Sequence, residues 1–235
     1  PTHLPLDHQD KGYKLWFDEF MALWDMCQNS PTWEGELVSL FTRLACENIG
    51  YIDWEPHMPK IFTRILRSLN LPVGGGKIQV LHITGHPGYD IIEVAWWITS
   101  MLGGGSSCQK HLTNLFKALE SFLHPSNHGK WVGKLMRLMI KLAQDVVKRV
   151  FREKGNKHWC RPIPETHKLT SEEVTEFVES MKPIVFLAMF SKVGSHHSSI
   201  AINQLALLRP EIIIPPLLEK TYPALETLTE PHRLI

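Results

Sequence analysis

Apolar residues recur every three or four positions along most of the chain, which is the spacing of an amphipathic α-helix. Over residues 11–28 the pattern consists of Leu15, Trp16, Phe20, Leu23 and Trp24. Repeated along the sequence, it predicts nine helices, which begin near residues 11, 31, 59, 89, 106, 127, 170, 195 and 210. The two long gaps between them are about 71–88 and 155–169, and residues 78–83 in the first gap have the composition of a short strand.

Local signals mark where several of these helices begin and end. Ser30 followed by Pro31 is typical of an N-cap and a first helical residue, and Gly50 is a suitable C-terminal stop. Thr170 and Glu173 have the spacing of a capping box, so a helix is expected to begin there. Pro183 is expected to kink that helix.

The stretch 207–228 combines helical apolar spacing with four prolines, in the sequence LLRPEIIIPPLLEKTYPALETL. Pro210 fits the first turn of a helix, where its missing N–H group is harmless. We expect a break or kink at Pro215 and Pro216, and an end or bend at Pro223. A helix can bend at proline and continue, so the stretch is predicted to be helix, kink and helix rather than a loop.

Helices mostly of 12 to 22 residues, joined mostly by short turns, predict an all-α fold. Nine helices in antiparallel pairs give units of about 40–47 residues, the period of HEAT and armadillo repeats. We therefore predict that residues 1–235 form one continuous HEAT/armadillo-like α-solenoid of antiparallel helix pairs. An irregular helical bundle is the competing interpretation.

The composition is that of a globular protein, with 43% hydrophobic residues and a formal net charge of +1. Its four cysteines are widely separated, which favours a reducing compartment over secretion. The sequence contains no run of 18 apolar residues, so no membrane-spanning helix is predicted. The sequence begins Pro1-Thr2-His3 and ends Arg233-Leu234-Ile235, and we expect it to be a piece of a longer protein.

Motifs for catalysis and for metal binding are missing from the sequence. The stretch Gly74-Gly75-Gly76-Lys77 is followed by Ile78, whereas a phosphate-binding P-loop needs Ser or Thr there. Thirteen histidines form no HExxH motif, and there is no GxSxG motif. We predict no catalytic residues, no metal site and no required cofactor.

One segment stands out by its charge. Residues 130–157 hold nine Lys and Arg and two acidic residues, a net charge of +7 that leaves −6 for the rest of the chain. At 100° per residue, six of the cations fall within one narrow arc opposite an apolar face. This predicted basic ridge consists of Lys130, Lys134, Arg137, Lys141, Lys148 and Arg152.

Two interpretations of the basic ridge remain open. It is either a solvated face opposite acidic residues of a neighbouring helix, or a binding site for a polyanion such as an inositol polyphosphate, a nucleic acid or an acidic protein. The ridge lacks the arginine richness and interleaved aromatic residues of base-reading surfaces, so sequence-specific nucleic-acid binding is not expected.

Four long stretches resemble one protein family. They are KGYKLWFDEFMALWD (11–25), ENIGYIDWEPHMPKIFTRILRSLNLPVG (47–74), FLHPSNHGKWVGKLMRLM (122–139) and LLRPEIIIPPLLEKTYPALETLTEPHRL (207–234). They are similar to the N-terminal half of the large ATP-independent proteasome activators. The resemblance extends over essentially the whole chain.

The resemblance implies a giant curved solenoid of HEAT-like repeats that caps the 20S core proteasome. It implies ATP-independent promotion of the hydrolysis of peptides and some proteins, including acetylated histones, in the nucleus and cytoplasm, with links to DNA repair and spermatogenesis. The family's proteasome-docking tail and its acetyl-lysine module do not map onto this sequence. Family members also bind inositol phosphates at openings lined by basic residues, and the basic ridge is a candidate for such a site on its charge alone.

Two functional hypotheses follow. The chain is either a scaffold segment without chemistry of its own, or a helical-repeat module whose basic ridge holds a polyanion. No membrane partner is predicted.

Overall fold

A computed structural model describes residues 12–28, 30, 32–72, 88–126, 129, 131–155, 161–191 and 193–226. This part of the chain contains nine α-helices and no β-strand. The helices are α1 (Phe17–Met26), α2 (Trp33–Glu47), α3 (Met58–Ser68), α4 (Ile91–Met101), α5 (Cys108–Glu120), α6 (Trp131–Lys154), α7 (Ser171–Ala188), α8 (Ser195–Leu208) and α9 (Pro210–Glu226). All nine predicted helices are confirmed, whereas the candidate strand at 78–83 lies outside the described residues.

The helices pack in two layers. One layer stacks α2, α4, α6 and α8 in chain order, and the other stacks α3, α5, α7 and α9. Contacts between consecutive helices, such as α7 with α8 and α8 with α9, hold the layers together. The extensive helix contacts thus join helices that are one or two apart along the chain, which is the pattern of a solenoid and not of an irregular bundle.

A continuous apolar core fills the space between the layers. Near its first end, the Trp97 ring lies with its centroid 5.8 Å from Trp24, 5.8 Å from Phe41 and 5.5 Å from Trp54. Trp97 is fully buried, while its neighbour Trp96 is 42% exposed. Adjacent residues of a helix lie about 100° apart around its axis, so the two rings face different directions.

The capping box predicted at the start of α7 is present. The Thr170 side chain accepts a hydrogen bond from the Glu173 N–H group (3.1 Å), and the Glu173 carboxylate accepts one from the Thr170 N–H group (2.9 Å). The helix continues through Pro183 to Ala188.

Helix α9 corrects one expectation about the prolines. It runs from Pro210 to Glu226 through Pro215, Pro216 and Pro223, so the stretch is helix rather than loop, as predicted; of the break or kink expected at 215–216, the break is absent. Proline removes the hydrogen bond to the carbonyl four residues earlier. For Pro215 and Pro223 those carbonyls belong to Glu211 and Glu219, which are exposed residues of a surface helix where water can replace the missing donor.

Three connecting loops meet at one edge of the array, where glycine is required. The His167 ring packs against Gly50 and Gly104, whose φ angles are +80° and +67°. A Cβ atom at Gly50 would lie 2.7 Å from His167 Cγ, and one at Gly104 would lie 2.6 Å from His167 Cδ2. Only glycine combines these backbone angles with so close an approach.

Candidate functional site

Apart from Lys130, the residues of the predicted basic ridge lie on helix α6, which packs between α4 and α8 in one layer. The opposite side of α6 is apolar and buried, as expected: Leu135, Leu138, Met139, Leu142 and Val146 are fully buried, and Val150 is partly buried against the same core. This burial fixes the rotation of α6 and therefore the direction in which its cations project.

At the N-terminal end of the ridge, Lys134 forms a hydrogen bond within the protein. Lys130 lies outside the described residues. Lys134 is half-buried and its Nζ donates a hydrogen bond of 2.8 Å to the Ser68 carbonyl at the end of α3. Burial lowers the pKa of Lys134 from its ordinary value. This ammonium group therefore helps to hold α3 against α6.

The middle of the ridge is open to solvent. Arg137 is exposed and Lys141 is half-buried. Neither side chain forms an ion pair within the described part of the chain. These two residues are available to an external anion.

At the C-terminal end of the ridge, both Lys148 and Arg152 contact other groups of the protein. Lys148 Nζ lies 3.1 Å from Asp145 Oδ1 on the same helix. Arg152 donates a hydrogen bond of 3.3 Å to the Cys46 carbonyl in the last turn of α2. From Lys134 to Arg152 the ridge extends about 27 Å at 1.5 Å per residue, so it forms a strip and not a single pocket.

The helices on either side of α6 offer the ridge few carboxylates. Helix α8 contains neither Asp nor Glu, and Glu93 is the one acidic residue within α4. Among the described residues, no cation of the ridge pairs with a carboxylate from another helix. Within the described part of the chain, the carboxylate that pairs with a ridge cation is therefore Asp145 of the same helix, and neighbouring helices add no such pair.

A cavity of about 270 Å³ opens beside the C-terminal end of the ridge, between α2, α4 and α6. Cys46, Ile49, Trp96, Thr99, Asp145 and Arg152 are among its lining residues.

Burial raises the pKa of the Asp145 carboxyl, against the opposing effect of Lys148. Burial also raises the pKa of the Cys46 thiol, whose sulfur accepts a hydrogen bond from Ser100. This thiol is thus less readily ionised than a free cysteine.

The structure identifies a buried ion pair that the sequence analysis did not single out. Arg149 Nε lies 2.8 Å from Glu153 Oε1, and both side chains are almost completely buried. The guanidinium also donates to the Thr99 and His167 carbonyls, while Glu153 accepts from the Leu169 N–H group (2.9 Å). Burial lowers the pKa of Arg149. A sequence signal existed, because Arg149 lies seven residues after Leu142 and hence on the apolar face.

A search for other kinds of site covers the described residues alone. Within them, no group of three or more His, Cys, Asp and Glu side chains is arranged to hold a metal ion. No described helix is both long and apolar enough to cross a membrane. His82 and His86, four residues apart in sequence, lie outside the described residues.

The two-layer stack of helices defines the class of protein, an α-solenoid built from HEAT-type repeats. Residues 112–235 match the family model for the mid HEAT repeats region of proteasome activator complex subunit 4. That match covers more than half of the sequence, and the chain belongs to this family.

Individual relatives extend the similarity to the whole chain. The sequence is 57% identical over 236 residues to proteasome activator complex subunit 4 of Xenopus laevis and 56% identical to that of Homo sapiens. Proteasome activator subunit 4 of Arabidopsis thaliana is 28% identical over 245 residues. The alignments cover 97–100% of this chain and 13% of each relative, so the chain spans a small part of the length of the proteins it matches.

Proposed function

We propose that this chain is a scaffold segment of an ATP-independent activator that caps the 20S core proteasome. The observation that carries the proposal is the 57% identity, over the whole chain, to a protein named as a proteasome activator subunit. The proposal assigns the chain no chemistry of its own. Its contribution is shape, because stacked helix pairs form a stretch of curved wall.

The proposal includes the substrates and the location of the activator. These are peptides and some proteins, including acetylated histones, in the nucleus and cytoplasm. The resemblance of the four quoted sequence stretches to the large ATP-independent activators supports this part.

The proposed scaffold role is tested by peptide hydrolysis with purified 20S proteasome in the absence of ATP. The intact natural protein that contains these residues is expected to stimulate hydrolysis, and this chain added alone is expected to leave the rate unchanged. Stimulation by the chain alone would refute the purely structural role. A parallel assay with acetylated and unmodified histones tests the substrate preference, and equal rates would contradict it.

A second candidate function, binding of a polyanion such as an inositol phosphate, is favoured by the positive charge of the basic ridge. Arg137 and Lys141 have no ion-pair partner within the described residues, and Lys148 pairs only with Asp145 of its own helix. An anion with several phosphate groups would neutralise these three cations together. Lys134 and Arg152 are less available because each donates to a backbone carbonyl.

Charge reversal of Arg137, Lys141 and Lys148 to glutamate is expected to weaken the binding of inositol hexakisphosphate by at least about tenfold, or 1.4 kcal/mol. The dependence of binding on salt concentration should also decrease, since fewer charges take part. Isothermal titration calorimetry on the intact protein measures both effects.

The matched control reverses three exposed lysines away from the ridge, Lys14, Lys110 and Lys117, and so changes the net charge equally. The control variant should bind as the wild type does. Unchanged binding in the ridge variant, or equal losses in both variants, would end the proposal.

A further inference from the structure

The two layers of helices differ in how closely their members pack. The interfaces of α2 with α4, α4 with α6 and α6 with α8 are each more extensive than the corresponding interfaces of α3 with α5, α5 with α7 and α7 with α9. Helix length does not explain the difference. Helices α7 and α9 have 18 and 17 residues and touch only slightly, whereas α8 has 14 residues and packs extensively on α6.

This difference gives the direction in which the array curves. In a curved stack, the helices on the inner side of the bend lie closer together than those on the outer side. The layer of α2, α4, α6 and α8 is therefore the concave side of the array, and the layer of α3, α5, α7 and α9 is the convex side. Concave surfaces of this kind are the ones that solenoid proteins use to bind their partners.

Helix α6 projects cations from the concave side. Arg137 is exposed and Lys141 is half-buried, and neither forms an ion pair within the described part of the chain. Of the two helices that flank α6, α8 contains neither Asp nor Glu, and α4 contains Glu93 as its one acidic residue. The convex layer differs, because α7 exposes Glu172 and Glu176 there. The middle of the concave surface is therefore positively charged.

A positively charged concave surface acts on polypeptides through their charge. A curved wall that caps a particle turns its concave side toward the space it encloses, so a substrate on its way to the particle meets this side. At physiological ionic strength, charges interact over about 8 Å. A segment with several lysines that passes within this distance of Arg137 and Lys141 is repelled, whereas a segment with neutral side chains is not. The rate at which a segment enters should therefore fall as its positive charge rises.

We propose that Arg137 and Lys141 are specificity-determining residues that disfavour positively charged polypeptide segments as substrates. This inference rests on the proposed function of the chain as a wall segment of a proteasome activator, and it adds a role in the choice of substrate. Acetylation of a lysine removes its positive charge, so acetylated segments are disfavoured less than unmodified ones. The polyanion of the second candidate function would mask the same two residues, so the test is performed without inositol phosphates.

The test compares three fluorogenic peptides in hydrolysis by purified 20S proteasome, with the intact natural protein and without ATP. The peptides share one cleavage site and differ at four positions on one side of it, which are all lysine, all glutamine or all acetyl-lysine. Each kcat/KM is divided by the value for 20S proteasome alone, which removes the proteasome's own preference. The resulting stimulation is expected to be at least about threefold greater for the glutamine peptide than for the lysine peptide. The acetyl-lysine peptide should match the glutamine peptide.

A matched pair of double variants changes the net charge equally on the two sides of the wall. The variant Arg137→Glu, Lys141→Glu alters the concave side and should remove the disadvantage of the lysine peptide. The variant Lys110→Glu, Lys117→Glu alters two exposed residues of α5 in the convex layer and should keep that disadvantage. Stimulation with the glutamine peptide shows that each variant is folded and active.

The possible failures are distinguishable. Equal stimulation of the lysine and glutamine peptides by the wild type would overturn the inference while leaving proteasome activation in place. Equal effects of the two double variants would also overturn it, because the discrimination would then depend on net charge and not on the concave side. A preference for acetyl-lysine, with no difference between lysine and glutamine, would overturn it as well, since the acetyl group and not the charge would be recognised. Absence of stimulation for all three peptides would refute the proposed function itself.

Discussion

Replacing Arg149 by methionine is expected to lower the free energy of unfolding by about 3–5 kcal/mol, because the substitution leaves a buried carboxylate without its partner. The Glu153 side chain is only 6% exposed and would lose its ion pair within helix α6. The Thr99 and His167 carbonyls would also lose their donor. Chemical denaturation followed by circular dichroism measures the change.

Two further variants distinguish this mechanism from a general loss of charge. Arg137→Met removes an exposed arginine from the same helix and should change the free energy of unfolding by no more than about 0.5 kcal/mol. The double variant Arg149→Met, Glu153→Leu removes both buried charges and should cost less than Arg149→Met alone. Equal effects of Arg149→Met and Arg137→Met would show that the buried pair contributes nothing special.

Trp97→Ala is expected to destabilise the protein by about 3–5 kcal/mol, the range for removing a large aromatic side chain from a packed core. The Trp97 ring is fully buried among Trp24, Phe41 and Trp54, so its loss leaves a cavity that these rigid neighbours cannot fill. Thermal denaturation monitored by circular dichroism gives the comparison with wild type.

The adjacent residue offers a control that differs mainly in orientation. Trp96→Ala changes the same residue type on the same helix but at a 42% exposed position. It should lower the free energy of unfolding by about 1 kcal/mol, well below the effect of Trp97→Ala. A similar loss in both variants would mean that Trp96 is as important to the core as Trp97.

The helices were predictable because their causes are local. Periodic apolar residues predicted all nine helices, and the spacing of Thr170 and Glu173 predicted the capping box that the structure contains. The order of helices joined by short turns predicted the solenoid. Of the break or kink expected at Pro215 and Pro216, the break is absent; the carbonyl freed by Pro215 belongs to the exposed residue Glu211, and such exposure depends on tertiary packing.

The candidate site was predictable only in part, because a helical wheel shows a direction but not a neighbour. The wheel placed Lys134 and Arg152 on the ridge. It could not show that they bond to the Ser68 and Cys46 carbonyls, which lie 66 and 106 residues away in sequence. The cavity beside Asp145 likewise depends on three helices meeting, and no segment of the sequence contains it.

The layered order of contacts has a mechanical consequence. Each extensive interface joins helices that are one or two positions apart along the chain. A small rotation between neighbouring helix pairs therefore disturbs one interface, while the rest of the core stays packed. Such rotations add up along the stack, so the curvature of the whole array of helices can change by small movements at each interface. A long chain of such units can therefore change its curvature to fit a large partner without unfolding any of them.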